Sequence, residues 1–244
     1  MEAQPLPSMP VKHLSLTATT IIAVRTPAIV YIGADSKVSN IDEIPVNMGP
    51  VSKIHAVGDV TFAQSGWFQF GSDETVDIDF VSITRSCLVG SFPLGLKVQE
   101  FERAMKAAIT RAITELDAVP GAARRGVPVI ETLFVAFERG ESIASQRSFR
   151  LKSMIPGAYE IEIIRQDCPG DCGPSGLGQM IMGERSALDA ALAAAPYRNG
   201  IAEGIRRLIE IEAAAHPSTV GGPISVMSIT AAGREWEIWS EASD

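Results

Sequence analysis

The chain has 244 residues, 46% of them apolar and 20% charged, with a formal net charge of -8. This length supports a substantial core in one large domain or two small ones, and the acidic balance argues against nucleic acid or an anionic membrane as the main partner. No apolar run approaches the ~18 residues of a membrane helix, the Pro-rich start lacks a secretory apolar core, and three cysteines supply no disulfide framework, so a soluble cytoplasmic protein is expected.

In chain order, residues 1 to 15 read as a loose, Pro-rich polar arm. Ile21 to Val24 and Ala28 to Ile32 are apolar, β-branched runs separated by Arg25-Thr26-Pro27, which predicts a hairpin covered on both faces. Val38 to Pro50 has loop character. Ser52 to Val57 and Val60 to Gln64 form a second hairpin about Gly58-Asp59, with Ser65-Gly66 ending its strand. Trp67 to Gly95 mixes acidic, apolar and Gly/Pro character and predicts no single element.

Lys97 to Leu116 is the clearest helix, with Val98, Phe101, Met105, Ala108, Ile109 and Ile113 at helical spacing and Pro120-Gly121 as its stop. Thr132 to Glu138 is a strand that turns at Arg139-Gly140-Glu141, and residues 149 to 164 hold two short strands. Cys168 to Gly178 reads as a loop. Ser186 to Ala195 and Ile201 to Ala215 are helices, and Pro223 to Ala231 with Glu235 to Trp239 closes the chain as a hairpin about Gly233. Helices grouped between antiparallel hairpins predict an α+β layered fold in a single domain.

The first hairpin carries the chemistry. Folding it back brings Thr19 and Thr20, at the mouth of one strand, beside Asp35, just past the other. A strand threonine alone is explained by β propensity, and an aspartate in a Gly-Ala-Asp-Ser turn by local backbone bonds. Cys168 and Cys172, with Asp167 and Asp171 beside them, lack the second pair that a zinc set needs, and no metal or cofactor is expected. The segment Gly173 to Gly178 lacks a phosphate-binding pattern, and His13, His55 and His216 have no visible partners.

Thr19-Thr20-Ile21, Ala34-Asp35-Ser36 and Ser52-Lys53-Ile54, with the Gly-Gly-Pro-Ile start of the last strand, resemble proteasome β subunits and their HslV-like relatives, of the N-terminal-nucleophile hydrolase superfamily. The resemblance implies a four-layer αββα sandwich over residues 19 to 244, with residues 1 to 18 as a propeptide-like extension. It also implies Thr19 as nucleophile, Asp35 and Lys53 as its supports, and the Gly66 region as oxyanion donor. A free threonine α-amine would take the hydroxyl proton, a buried lysine would lower neighbouring pKa values, and a backbone N–H would bind the developing oxyanion.

The implied activity is threonine peptidase action on peptides or proteins once residues 1 to 18 are removed. The implied partners are like subunits in a homo-oligomer or ring, with an ATPase partner left open. A non-catalytic, self-assembling subunit is the alternative: Ala18 stands where processed relatives carry glycine, and the stretch from His216 to Gly222 has no counterpart of the family's Asp-x-x-Ser-Gly. A small-molecule amidase of the same superfamily is a third reading.

Overall fold

The computed structural model describes residues 12–17, 19–37, 39–40, 51–72, 75–116, 127–155, 158–172, 178–194 and 196–239. Residues 1–11 of the expected arm, most of the Val38 to Pro50 loop, the Pro120-Gly121 stop and residues 173–177 lie outside the described residues.

The strands are β1 (His13–Thr17), β2 (Thr20–Arg25), β3 (Ile29–Asp35), β4 (Ser39–Asn40), β5 (Ile54–Val57), β6 (Val60–Gly71), β7 (Val76–Asp79), β8 (Pro128–Glu138), β9 (Glu141–Ile155), β10 (Ala158–Cys168), β11 (Gly178–Gly183), β12 (Ile224–Thr230) and β13 (Gly233–Ile238). The helices are α1 (Phe80–Cys87), α2 (Leu94–Leu116), α3 (Asp189–Ala193) and α4 (Ile201–Ala215). The larger sheet runs β10-β9-β8-β6-β1-β4, with β5 and β7 also paired to β6; the smaller runs β11-β2-β3-β12-β13. Every described pairing is antiparallel.

This corrects the expected four-layer αββα sandwich. Among the described residues the structure is two antiparallel sheets, of eight and five strands, with four helices. The physical reason lies in strand length and helix size. β6, β8, β9 and β10 are 12, 11, 15 and 11 residues long, and the last two form one long hairpin where two short strands were expected. α3 has five residues and buries none of them fully, although Ala191 and Leu192 pack against the α4 cluster.

Alternation explains why these segments are strands. In β2 both faces are covered: Ile21 and Ala23 face the space between the sheets, where they meet Ala63, Leu133 and Val135. Ile22 and Val24 face the other way, onto Ile205, Leu208 and Ile209 of α4. A third cluster joins α1 and α2 to the larger sheet through Phe80, Val98, Phe101 and Ile109, with Phe101 in edge contact with Phe134 and Phe149. α1 was missed in the mixed segment, although Asp79 caps it by accepting a hydrogen bond from Ser82 N.

Three local expectations also change. Residues 13–17 are a strand paired with β6, not part of a loose arm. Gly66 lies inside β6, between Thr17 of β1 and Ile130 of β8, so it does not end the strand. Cys168 and Cys172 are joined as a disulfide across the turn after β10, their Cα atoms 5.1 Å apart, which falls in the range a disulfide spans. None of the described helices is long and apolar enough to cross a membrane.

Candidate functional site

Thr19 stands where the chain leaves one sheet for the other. Thr17 pairs with Gly66 in the larger sheet, and Thr20 pairs with Gly183 in the smaller. The β2–β3 register sets Ile21 opposite Ala34, which carries the preceding threonines to the level of Asp35. Thr20 N donates to Asp35 Oδ1 at 2.9 Å, and Thr19 Oγ1 donates a short hydrogen bond to the same oxygen.

Lys53 enters from the segment before β5. Its ammonium donates to Thr19 Oγ1 at 2.5 Å, to Lys37 O at 2.6 Å and to Asp35 Oδ1 at 3.3 Å, which uses all three of its protons. The other aspartate oxygen accepts from Lys37 N at 3.2 Å and Gly221 N at 3.0 Å. Thr19, Asp35 and Lys53 are all buried, at 0%, 1% and 4% exposure. Burial of the ammonium lowers the Lys53 pKa to about 8, against the opposing pull of Asp35. About a tenth of the amine is therefore neutral at pH 7, within hydrogen-bond reach of a threonine hydroxyl.

Two further segments meet at this site through their backbones. Gly221, in the stretch from His216 to Gly222 that has no counterpart of Asp-x-x-Ser-Gly, supplies an N–H to Asp35. Glu184 N donates to Thr19 O at 2.8 Å, and Thr20 Oγ1 donates to Glu184 O at 2.7 Å. Gly183 takes a left-handed φ of 77°, and a Cβ there would come within 1.8 Å of Thr19 O, so only glycine fits.

Glu131 is a positioning residue that sequence reasoning missed. It reaches from β8 to the other sheet, accepting from Gly183 N at 2.7 Å and from Ser148 Oγ at 2.7 Å. Its signal was the one charged residue in the β-branched and apolar run Val129 to Val135. Gly66, the expected oxyanion donor, is placed opposite Thr17, two residues before Thr19. Its φ of 96° and the Val129 carbonyl, 2.2 Å from a hypothetical Cβ, both require glycine.

A cavity of about 10 Å³, with room for one water, lies beside Asp35, Ser36, Lys53 and Ser225. Ser36 Oγ is buried there without a hydrogen-bond partner among the described residues. Next to it, a cleft of about 370 Å³ is lined by Val51, Ser52, His55, Phe68, Asp79 and Arg85. The geometry can activate a hydroxyl: Asp35 orients it, Lys53 can hold or receive its proton, and Thr19 itself is buried. Compared with known families and curated proteins, the sequence matches no family model and no curated relative.

Proposed function

We propose that this chain is a latent threonine-type amide hydrolase, a peptidase that uses Thr19 Oγ1 as its nucleophile. One observation carries the reading: a threonine hydroxyl, a carboxylate and a lysine of lowered pKa are hydrogen-bonded together in a buried group. An exposed strand-end lysine and a turn aspartate would have had solvent for partners. In the proposed step Lys53, as the neutral amine, takes the hydroxyl proton while Oγ1 attacks the substrate carbonyl carbon. The amine leaving group departs with a proton, and water then hydrolyses the ester left on Thr19. Removal of residues 1 to 18 frees the Thr19 α-amine as a second base and opens the 0% exposed hydroxyl to substrate. The N–H groups near Gly66 are the proposed oxyanion donors. Like subunits in a homo-oligomer and a peptide or protein substrate belong to the same proposal.

The test is the intact mass of purified protein, followed by labelling with a threonine-directed epoxyketone before and after removal of residues 1 to 18. Labelling of the shortened chain at Thr19, and its loss in Thr19→Ala, is the expected result. A shortened, folded chain that resists the reagent overturns the proposal. The second reading, a non-catalytic subunit, is favoured by one observation: β1 is integrated into the larger sheet on both sides, paired with β6 and β4. A chain that keeps residues 1 to 18 after assembly supports that reading.

A further inference from the structure

Glu184, Glu212 and His216 converge on one point from two elements. Glu184 follows β11, Glu212 lies in the last turn of α4, and His216 caps that helix four residues on. One carboxylate oxygen from each glutamate and one imidazole nitrogen all lie within 4.8 Å of one another. His216 Nε2 is 3.4 Å from Glu212 Oε1 and 2.7 Å from Ser186 Oγ.

The charge balance is the second, separate observation. The Glu212 side chain is 0% exposed, and its hydrogen-bond donors are the backbone N–H of Ala187, at 3.1 Å, and the Ser186 hydroxyl. Glu184 accepts from the backbone N–H groups of Arg185 and Ser186, both at 3.2 Å. Among the described residues no lysine or arginine forms an ion pair with either carboxylate; Arg185 itself turns back to Ile181 O. The imidazole of His216, 3.4 Å from Glu212, is the one cationic partner near two carboxylates this close, one of them fully buried, and a metal ion bound by all three would supply more charge than the imidazole can.

We infer that Glu184, Glu212 and His216 form a binding site for a divalent transition metal, zinc foremost. The donor set, one imidazole and two carboxylates, suits zinc ahead of calcium or magnesium, which prefer all-oxygen shells. Zinc ligands at ~2.0–2.2 Å stand about 3.4 Å apart in a tetrahedron, so a small rotation of the two glutamates closes the set. Ser186, whose hydroxyl already hydrogen-bonds His216, yields Nε2 to the metal and leaves the fourth position to itself or a water. The site lies outside the threonine chemistry and does not depend on it. Its position gives it a structural role, however. Glu184 holds Thr19 O through its own N–H, and His216 O accepts from Val220 N at 2.9 Å, next to the Gly221 that holds Asp35. A metal there would tie together the two backbone segments that anchor Thr19 and Asp35.

The test uses the full chain after chelator treatment, titrated with Zn²⁺ by calorimetry and with Co²⁺ by visible absorption. One equivalent is expected to bind, and Tm is expected to rise with the logarithm of free Zn²⁺. His216→Ala and Glu184→Gln should each weaken Zn²⁺ binding at least tenfold, both being partly exposed positions whose change leaves the fold intact. The Co²⁺ spectrum of the wild-type chain should show nitrogen and oxygen ligation, a readout that stands even if a variant fails to fold. No uptake by the wild-type chain overturns the inference. So does binding that survives both variants, or a thiolate charge-transfer band, which would place the ion on a cysteine.

Discussion

Lys53 Nζ lies 2.5 Å from Thr19 Oγ1, inside a group that excludes solvent from both. This contact couples a backbone crossing between two sheets to a side chain 34 positions further along the chain. It sets the terms on which the hydroxyl can ionise, and it makes both residues sensitive to the state of Asp35.

Removing the ammonium leaves Asp35 buried with only its backbone and threonine donors. Lys53→Met should destabilise the chain by about 3 kcal/mol, as expected when one partner of a buried ion pair is lost. Adding Asp35→Asn to Lys53→Met should recover part of that loss, since no uncompensated charge then remains. Urea unfolding of the single and double variants checks this, and equal losses for both would count against a coupled pair.

The alkaline side of the stability profile follows from the Lys53 pKa of about 8, lowered from 10.5 mainly by burial. Between these values the unfolded chain binds more protons than the folded one, so stability gains with rising pH in that window. None of this gain is present below pH 8. The difference in unfolding free energy between wild type and Lys53→Met, measured from pH 7 to 10.5, should widen accordingly. In the shortened chain, labelling at Thr19 should accelerate through the same pH region.

His55 supplies the opposite end of the profile. Burial, with the nearby Arg85 guanidinium adding to it and Asp79 opposing it, lowers its pKa from 6.5 to about 4. Below pH 6.5 the unfolded chain takes up a proton that the folded chain refuses, so stability falls as the solution is acidified toward pH 4. His55→Phe should therefore unfold at a lower pH than wild type, as followed by tryptophan fluorescence. An unchanged acid midpoint would show that His55 is not a titrating contributor.

Two glycines with positive φ separate backbone strain from steric collision. Gly58, at φ 57° in the β5–β6 turn, has open space where a Cβ would go, so Gly58→Ala should cost only about 1 kcal/mol. Gly66 has φ 96° and the Val129 carbonyl 2.2 Å from the added atom. Gly66→Ala should cost about 3 kcal/mol or more and loosen β1 from β6. Thermal unfolding compares the two directly, and hydrogen exchange at Thr17 and its neighbours reports the second effect.

Local pattern was enough to locate the parts that depend on local pattern. The covered run Ile21 to Val24, the Gly58-Asp59 turn, the amphipathic stretch from Val98 to Ile113 and α4 were all legible, because each advertises its burial through spacing alone. The proximity of Thr19 and Asp35 was legible too, since a hairpin with a short turn must bring its two ends together.

Tertiary structure decided the rest. Whether β10, with polar residues at alternate positions, would extend into a long hairpin depended on finding β9 as its partner. The roles of Gly183, Glu184 and Gly221 came through backbone N–H and C=O groups, which every residue carries and no motif reveals. The pairing of Cys168 with Cys172, the reach of Glu131 between the sheets and the meeting of Glu184 with Glu212 and His216 likewise required the folded chain. The sequence determined that a threonine and an aspartate share one edge of a hairpin. Only the packing of two sheets determined that a lysine would be sealed in beside them, its charge made costly by burial and its proton within reach of the hydroxyl.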